Sequence, residues 1–191
     1  QSDSASHQET SANVTHELVT LRQEGDTIHF VAVIDTFLTT TQGVIGPAQV
    51  APLPVQLSGT FVSDTLTLST DSVPERCNPV SSALSADLHN LLVRFPPPLS
   101  PGTSRKDSVE LKGCQGMIPT MAHINRSYAV TGEAAYQDNP VLVIRRTDTI
   151  QAHGEGAQQQ HPLLLDAKGT GSAIYYVNLK DGRIARLIIG Q

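Results

Sequence analysis

Residues 77–114, CNPVSSALSADLHNLLVRFPPPLSPGTSRKDSVELKGC, decide how this chain is organised. They contain both cysteines of the 191-residue sequence, its clearest helical pattern and its densest proline cluster. Strand-like sequence lies before and after them. We therefore take this segment as the centre of a β-rich fold and work outward from it.

The two cysteines, Cys77 and Cys114, lie 37 positions apart. They form no CxxC motif and have no histidine at ligand spacing, so they lack the four donors that a structural zinc needs. We predict a disulfide, which would stabilise the fold by roughly 4 kcal/mol on the loop-entropy model. It would also place the protein outside the reducing cytoplasm. The alternative is two unrelated buried thiols in a cytosolic domain, and a free-thiol assay separates the two.

Residues 81–95, SSALSADLHNLLVRF, predict one amphipathic helix. Its apolar residues recur at the spacing of a single helix face. They are Leu84, Leu88, Leu91, Leu92 and Phe95. Ser81 or Ser82 can cap the start, and Pro96-Pro97-Pro98 ends the helix because proline lacks an amide hydrogen and clashes with the preceding turn. Such a stripe is more often core than a ligand groove, so we expect the helix to pack on a sheet.

The composition favours one compact domain. Hydrophobic residues make up 39% of the chain, charged residues 16%, and the formal net charge is -5. The basic residues are scattered and there is no tryptophan, which argues against nucleic acid as a partner. No apolar run approaches the roughly 18 residues that span a bilayer, so we expect no transmembrane segment. The chain starts at Gln1, so we expect a periplasmic or otherwise extracytoplasmic protein whose signal peptide is removed before Gln1.

Residues 1–13, QSDSASHQETSAN, contain almost nothing to bury. We predict that they form an extended polar N-terminal arm, held either by the domain's own surface or by a partner. The residues predicted to bind the partner are Gln1, Ser2, Asp3, Ser4, His7, Gln8 and Glu9. Residues 14–191 are predicted to form a single β-rich domain.

Alternation of apolar and polar residues predicts strands on both sides of the helix. Before the helix, the predicted elements are strands at 14–23 and 27–41 with a turn at 24–26, a loop over 42–54, and strands at 55–61 and 65–69. After the helix, they are strands at 107–114, 121–131 and 140–149, a polar loop over 151–162, and strands at 171–179 and 183–189 joined at Asp181-Gly182. Eight to ten strands with one helix predict a mainly β fold, with a strongly curved antiparallel sheet in the form of a half-barrel or open barrel.

Arg126 and the four tyrosines need an interpretation beyond this alternation. Arg126 interrupts an apolar series, so it predicts an edge or a polar opening. The four tyrosines are far apart in the sequence, and we expect them to be buried separately and not as one patch.

No residue pattern predicts catalysis. The seven histidines fall on different predicted elements, and the nearest pair, His153 and His161 with Glu155 between them, favours a solvated loop over a metal site. There is no GxSxG nucleophile motif, and the glycine pairs at 154–156 and 169–171 lack the lysine of a phosphate-binding loop. We therefore predict that the protein is not an enzyme and has no catalytic, cofactor-binding or metal-binding residues.

A spacing pattern runs from Cys77 through about 60% of the chain. Its parts are Cys77, Asp87-Leu88, Pro98-Leu99-x-Pro101-Gly102-Thr103, Cys114-x-Gly116-x-Ile118-Pro119, Arg126-x-Tyr128-x-Val130-x-Gly132, Gly169-x-Gly171, Tyr175-Tyr176 and Asp181-Gly182. The pattern resembles secreted β-rich domains of uncharacterised function from gemmatimonad-type bacteria. It departs from them at Ser104-Arg105-Lys106, where an aromatic residue is expected after the glycine.

The resemblance implies a half-barrel similar to periplasmic lipid-carrier and lipoprotein domains. It further implies a membrane-extrinsic subunit that helps to hold a photosynthetic reaction centre inside its antenna rings. The partner implied is an integral membrane protein complex, met on its extracytoplasmic face, with contact to a lipid or pigment.

Three functions remain open. The favoured one is a non-catalytic scaffold or accessory subunit that docks on such a complex and stabilises it. The second is a periplasmic carrier of a lipid or other hydrophobic ligand, held in a cavity beside the helix. The third is an enzyme whose active site the sequence does not reveal. Native mass spectrometry separates the first two, because bound lipid supports the carrier.

Overall fold

The computed structural model describes residues 11–41, 44–47, 53–69, 77–95, 99–115, 118–158 and 161–190. Within these ranges, ten strands form two five-stranded antiparallel sheets, accompanied by one helix. The predicted mainly β class with a single helix is confirmed. Neither sheet is closed or strongly curled, so the half-barrel is not confirmed.

Contacts between residues group the chain into two units. The first ends at Leu84 and the second begins at Ser85, so the boundary falls within the helix α1 (Pro79–Leu91). Each unit contains one of the two sheets. The single domain expected over residues 14–191 stays a prediction.

The first unit contains the strands that precede α1. They are β1 (Ser11–Glu24), β2 (Thr27–Thr41), β3 (Val44–Pro47), β4 (Val55–Val62) and β5 (Thr65–Leu68). Their order is β1-β2-β4-β5, and β3 pairs with the end of β2 that β4 does not reach. Alternate residues of β2 and β4 form the core of this unit: Phe30, Ala32, Ile34, Val55, Leu57 and Phe61.

Two sequence predictions for the first unit have different outcomes. The hairpin turn between β1 and β2 forms as predicted, with Gly25 at a φ of 58° that glycine adopts without steric cost. The loop predicted over 42–54 is wrong in part, because Val44–Pro47 extends the sheet along the overhanging end of β2.

The second unit contains a five-stranded meander. Its strands are β6 (Ser104–Gln115), β7 (Ile118–Tyr136), β8 (Asn139–Gln158), β9 (His161–Asn178) and β10 (Ile184–Gly190), each paired with the next. The predicted turn at Asp181-Gly182 forms between β9 and β10, with Gly182 at a φ of 70°. All five strands lie where the alternation predicted strands, although four of them are considerably longer.

The polar loop predicted over 151–162 is wrong. Strands β8 and β9 remain paired as far as Gln158 and His161. Gly154 is not a turn residue there: a Cβ at this position would lie 2.7 Å from the carbonyl oxygen of Pro119. The glycine therefore permits close backbone approach inside a long strand.

Helix α1 spans Pro79–Leu91 and not 81–95 as predicted. Its start is capped by Asn78, whose Oδ1 accepts hydrogen bonds from the backbone N–H of Val80 at 3.0 Å and of Ser81 at 3.2 Å. Pro79 occupies the first turn, where backbone amide hydrogens have no acceptor within the helix. Its missing amide hydrogen therefore costs no hydrogen bond. Of the predicted packing residues, Leu84, Leu88 and Leu92 are buried, whereas Leu91 and Phe95 are partly buried.

The core of the second unit combines aliphatic and tyrosine side chains. It consists of Tyr128, Val130, Leu142, Ile144, Ala173, Tyr175 and Val177. The ring centroids of Tyr128 and Tyr175 lie 6.2 Å apart, and Phe95 packs edge-to-face on both. Tyr136 and Tyr176 form a second pair at 5.9 Å. The expectation that the four tyrosines are buried separately is therefore wrong, because they associate in two pairs.

Both cysteines are disulfide-bonded, which confirms the predicted pair of Cys77 and Cys114. Cys77 directly precedes the Asn78 cap in the sequence, and Cys114 lies on β6. In the described part of the chain, no helix combines the length and apolar character that a membrane crossing requires.

Replacing both cysteines by serine is expected to lower the free energy of unfolding by roughly 4 kcal/mol, because the unfolded chain regains the freedom that the cross-link removes. Urea unfolding without reductant measures the difference. Wild-type protein treated with a reductant is the matched control and should lose the same amount. A double variant within about 1 kcal/mol of the oxidised protein would contradict the stabilising role.

Candidate functional site

A group of charged side chains lies in the second unit, on the face of the sheet that meets the end of α1. The strand register places Asp107 of β6 opposite Arg126 of β7, and Arg126 opposite Asp148 of β8. With Arg105 and Arg146, these residues form what we call the arginine–aspartate ladder. Arg126, Arg146 and Asp148 are buried. The prediction that Arg126 marks an edge or a polar opening is therefore wrong, since β7 is an interior strand.

Arg126 joins the sheet to the helix. Its Nε and Nη2 donate to the two carboxylate oxygens of Asp107 at 2.6 and 2.9 Å, and its Nη1 donates to the carbonyl oxygen of His89 at 3.0 Å. Bidentate pairs of this kind are among the strongest hydrogen bonds in proteins. Burial lowers the pKa of Arg126, but the hydrogen bonds to Asp107 and the charge interactions with Asp107, Tyr128 and Tyr175 together raise it by more, so the net shift is upward. The guanidinium therefore stays charged at the negative end of the helix dipole.

Arg146 makes a second connection to the helix. Its Nε and Nη2 donate to Asp148 Oδ2 at 3.1 and 2.9 Å, and its Nη1 donates to Tyr175 Oη at 2.6 Å. The Tyr175 hydroxyl in turn donates to the carbonyl oxygen of Asn90 at 3.0 Å. Burial raises the pKa of Tyr175, so its hydroxyl remains a donor.

These two contacts explain where α1 ends. The carbonyls of His89 and Asn90 would accept the amide hydrogens of residues 93 and 94 if the helix continued. They bind Arg126 and Tyr175 instead. The ladder thus caps the helix from outside, and its observed chemistry is structural.

A small cavity of about 50 Å³ lies beside the ladder and is lined in part by His89, Arg126 and Asp148. The Nδ1 of His89 is bonded to the carbonyl oxygen of Ser85 at 2.8 Å, and burial lowers the pKa of this histidine. Asp148 Oδ1 is buried without a hydrogen-bond partner in the described residues. The space suits one or two water molecules. The expectation that the protein is not an enzyme stays a prediction.

A larger cavity of about 200 Å³ borders the ladder at Arg105. Its walls include Phe95, Leu99, Val130 and Ile144. The guanidinium of Arg105 lies 5.8 Å from the ring centroid of Tyr128, which also lines the cavity. Burial raises the pKa of Tyr128, so its hydroxyl stays neutral.

Strand β1 forms one edge of the sheet in the first unit. It pairs with β2 on one side, and no described strand pairs with its other side. At about 3.3 Å per residue its 14 residues extend for about 46 Å. The outer face of this edge carries three exposed apolar side chains. They are Val14 (56% exposed) and Leu18 (62%) of β1, and Val31 (40%) of the neighbouring strand β2. We call these three residues the β1 patch.

The register between β1 and β2 shifts between His16 and Glu17, because Asp35 is an extra residue that bulges from β2. His16 Nδ1 lies 2.8 Å from Asp35 Oδ1, and the hydrogen bonds from His16 and Thr36 lower the pKa of Asp35. Glu17 falls on the opposite face, across from the buried Ile34, and its Oε1 is buried without a hydrogen-bond partner among the described residues. The edge therefore combines exposed apolar side chains with one inward-facing carboxylate.

The histidine pair singled out by the sequence does not become a metal centre in the described residues. His153 Nδ1 lies 2.9 Å from Asp166 Oδ1, and its Nε2 lies 3.4 Å from Glu155 Oε1, all well exposed. The side chain of His161 lies outside the described residues. Within the described ranges, no group of three or more histidine, cysteine, aspartate or glutamate residues could hold a metal ion.

The residues predicted to bind a partner lie outside the described residues. They are Gln1, Ser2, Asp3, Ser4, His7, Gln8 and Glu9, and their role stays a prediction. The ladder was missed by the sequence analysis. Its signal was present in Arg105-x-Asp107 and Arg146-x-Asp148, because residues two apart on a strand share a face.

Over the ranges that the structure describes, the chain is a disulfide-bonded β protein with one helix and a buried charged ladder. The chain matches no protein-family model, no curated protein and no solved structure.

Replacing Asp107 by asparagine is expected to destabilise the protein by about 3 kcal/mol, because it leaves the buried guanidinium of Arg126 without a carboxylate. Chemical unfolding measures the loss. Glu24→Gln is the matched control: it removes the partner of Arg22 in an exposed ion pair and should change stability by less than about 1 kcal/mol. Equal losses of stability from the two substitutions would show that the buried pair of Arg126 and Asp107 stabilises the protein no more than an exposed ion pair does.

The hydrogen bonds to Asp166 and then Glu155 raise the pKa of His153. Asp166→Asn is therefore expected to lower that pKa toward its ordinary value, as followed by NMR titration of the imidazole ring. Since the folded-state pKa is the higher one, the stabilisation is complete below the ordinary histidine pKa and disappears as the pH rises through the folded-state value. Glu155→Gln should have the smaller effect, and an unchanged titration in Asp166→Asn would contradict the assignment.

Proposed function

We propose that this protein is a non-catalytic extracytoplasmic scaffold that docks on an integral membrane protein complex through strand β1. The observation that carries the proposal is the β1 patch along a strand edge that no described strand covers. Exposed apolar groups of this kind, next to unpaired backbone donors and acceptors, are typical of surfaces that accept a partner strand.

Glu17 defines the chemistry of the strand that would bind there. A partner pairing with β1 brings its own side chains next to the buried Oε1 of Glu17. That carboxylate is stabilised by a positive charge or a hydrogen-bond donor and destabilised by another apolar group. We therefore expect the bound segment to be extended and apolar, with a basic residue opposite Glu17.

The compartment and the partner class rest on two further observations. The disulfide is compatible with an oxidising environment outside the cytoplasm. The sequence resemblance supports a membrane complex as the partner, with a photosynthetic reaction centre and its antenna as the particular case, and it also supports the curved half-barrel surface. Of the arm predicted over residues 1–13, residues 11–13 belong to β1 and residues 1–10 directly precede it in the sequence, so a partner bound along β1 would meet residues 1–10 next.

Leu18→Lys is expected to weaken docking by roughly tenfold or more, since burying a leucine contributes about 1.5–3 kcal/mol and each 1.4 kcal/mol changes affinity tenfold. Tagged wild-type and variant proteins are incubated with detergent-solubilised membranes of the native source. The integral membrane proteins that co-purify are then quantified by mass spectrometry. Because Leu18 is exposed, its substitution should leave the melting temperature almost unchanged.

Leu164→Lys is the matched control. Leu164 is 66% exposed and lies on β9, so it offers the same change of side chain on the second unit. It should co-purify the same membrane proteins as the wild type. Equal recovery with Leu18→Lys and wild type, or recovery of no integral membrane protein with either, would refute docking through β1.

A further inference from the structure

The face of the second sheet opposite the arginine–aspartate ladder carries two arginines and two tyrosines at one end. The register aligns Tyr176 of β9 with Arg186 of β10. Two residues along the strands, it aligns Ile174 of β9 with Arg145 of β8 and with Ile188 of β10. What we call the tyrosine–arginine surface consists of Tyr136, Arg145, Ile174, Tyr176, Arg186 and Ile188.

The two tyrosines hold Arg186 in place. Their ring centroids lie 5.9 Å apart, and the guanidinium carbon of Arg186 lies 5.7 Å from the centroid of Tyr136 and 5.9 Å from that of Tyr176. A guanidinium stacked in this way keeps N–H donors that can bind a phosphate or a carboxylate. Among the described residues, neither Arg186 nor Arg145 makes an ion pair.

This end of the face is positively charged although the whole chain has a formal net charge of -5. The strand segments that form it, 134–136, 141–147, 172–178 and 186–190, contain no aspartate or glutamate. The two adjoining turns, at 137–138 and 179–183, carry two acidic and two basic residues and so add no net charge.

The described strand carboxylates that share this face lie toward its other end. They are Glu110, Glu155 and Asp166. The register places each of them at least six positions from Arg145 along the strands, which is about 20 Å. That separation exceeds the Debye length of about 8 Å at physiological ionic strength, so these carboxylates do not neutralise the two arginines.

The apolar part of the surface lies between the charges. Ile188 is 39% exposed, and Ile174 and the two tyrosines are half-buried. A partner of this surface therefore meets hydrocarbon, phenol rings and two guanidinium groups together. A second copy of the chain fits poorly, because face-to-face packing would enclose four arginines with no carboxylate among them.

We propose that the tyrosine–arginine surface binds a bilayer that contains anionic phospholipids. Lipid phosphates suit Arg145 and Arg186, since a guanidinium binds phosphate with two parallel hydrogen bonds. Tyrosine has an apolar ring and a polar tip, which is why it is enriched where a membrane meets water. Ile188 can enter the boundary between headgroups and acyl chains, where buried apolar area adds to the electrostatic attraction.

The test measures co-sedimentation of the full chain with lipid vesicles that contain no protein. One set consists of equal parts phosphatidylglycerol and phosphatidylcholine, and the other of phosphatidylcholine alone. One arginine near an anionic surface is expected to change the partition coefficient about fivefold, so two predict about 25-fold stronger binding to the anionic vesicles. Because no membrane protein is present, the result does not depend on docking through β1.

Two double variants each remove two positive charges from this face. Arg145→Gln with Arg186→Gln should lose most of the roughly 25-fold preference for anionic vesicles. Lys112→Gln with Lys168→Gln is the matched control, because the register places both exposed lysines toward the other end of the same face. The control should bind within about threefold of the wild type, since the distance and salt screen its charges from the surface.

Equal partition onto the two kinds of vesicle, or equal losses in the two double variants, would overturn the proposal. So would a dimer in light scattering that only the arginine variant loses, since it would assign the surface to a second copy. If the loss of Arg186 disturbs the tyrosine pair, Arg145→Gln alone decides. It should still weaken binding to anionic vesicles about fivefold, and wild-type binding in this variant would contradict the proposal.

Discussion

The bidentate pair of Arg126 and Asp107 is the interaction on which the second unit depends. A guanidinium that is almost fully buried is tolerated only with a carboxylate and further hydrogen-bond acceptors around it. This requirement constrains strand pairing: a slip of β7 by one residue would turn Arg126 to the other face and leave Asp107 without its bidentate partner. The ladder therefore specifies the register of β6, β7 and β8 and also fixes the last turn of α1.

The two units differ in how their charged and apolar side chains are placed. In the ladder, charges are buried, mutually bonded and committed to holding the helix against the sheet. At Arg105, whose side chain is 23% exposed, the same row reaches a cavity with apolar walls. On β1 of the first unit, by contrast, apolar side chains are exposed along an edge. The buried ladder and the proposed docking of a partner thus belong to different units and rest on different physical forces.

Local features of the fold could be predicted from the sequence, and features that depend on distant residues could not. The turns at Gly25 and Asp181-Gly182 follow from glycine's tolerance of positive φ. The disulfide was favoured because the two cysteines lack the donors of a zinc site, although two separate buried thiols remained the alternative. The end of α1 could not be predicted, because Arg126 and Tyr175 bind its last carbonyls from strands far along the chain. Alternation located most strands, but it does not say which edges meet, so one curved sheet was expected where two sheets form.

The candidate site also depends on residues that are distant in the sequence, so it could not be predicted. Arg126 was interpreted alone, as an interruption of an apolar series, whereas its meaning comes from Asp107 on the next strand. Gly154 was interpreted as a loop residue, whereas it makes room for the backbone at Pro119. In both cases the residue type was informative and the missing information was its neighbour across the sheet. The β1 patch could not be foreseen either, because exposure at an edge depends on which strand is outermost.

The inward-facing carboxylate of Glu17 has a consequence for the behaviour of the chain at high concentration. If two copies stacked their β1 strands side by side, each would bury a carboxylate within a growing apolar interface, with no cation to neutralise it. The bulge at Asp35 on the neighbouring β2 also increases the local twist of the sheet, whereas fibril growth requires a flat one. A long apolar edge can thus stay open to a foreign strand while resisting homotypic polymerisation.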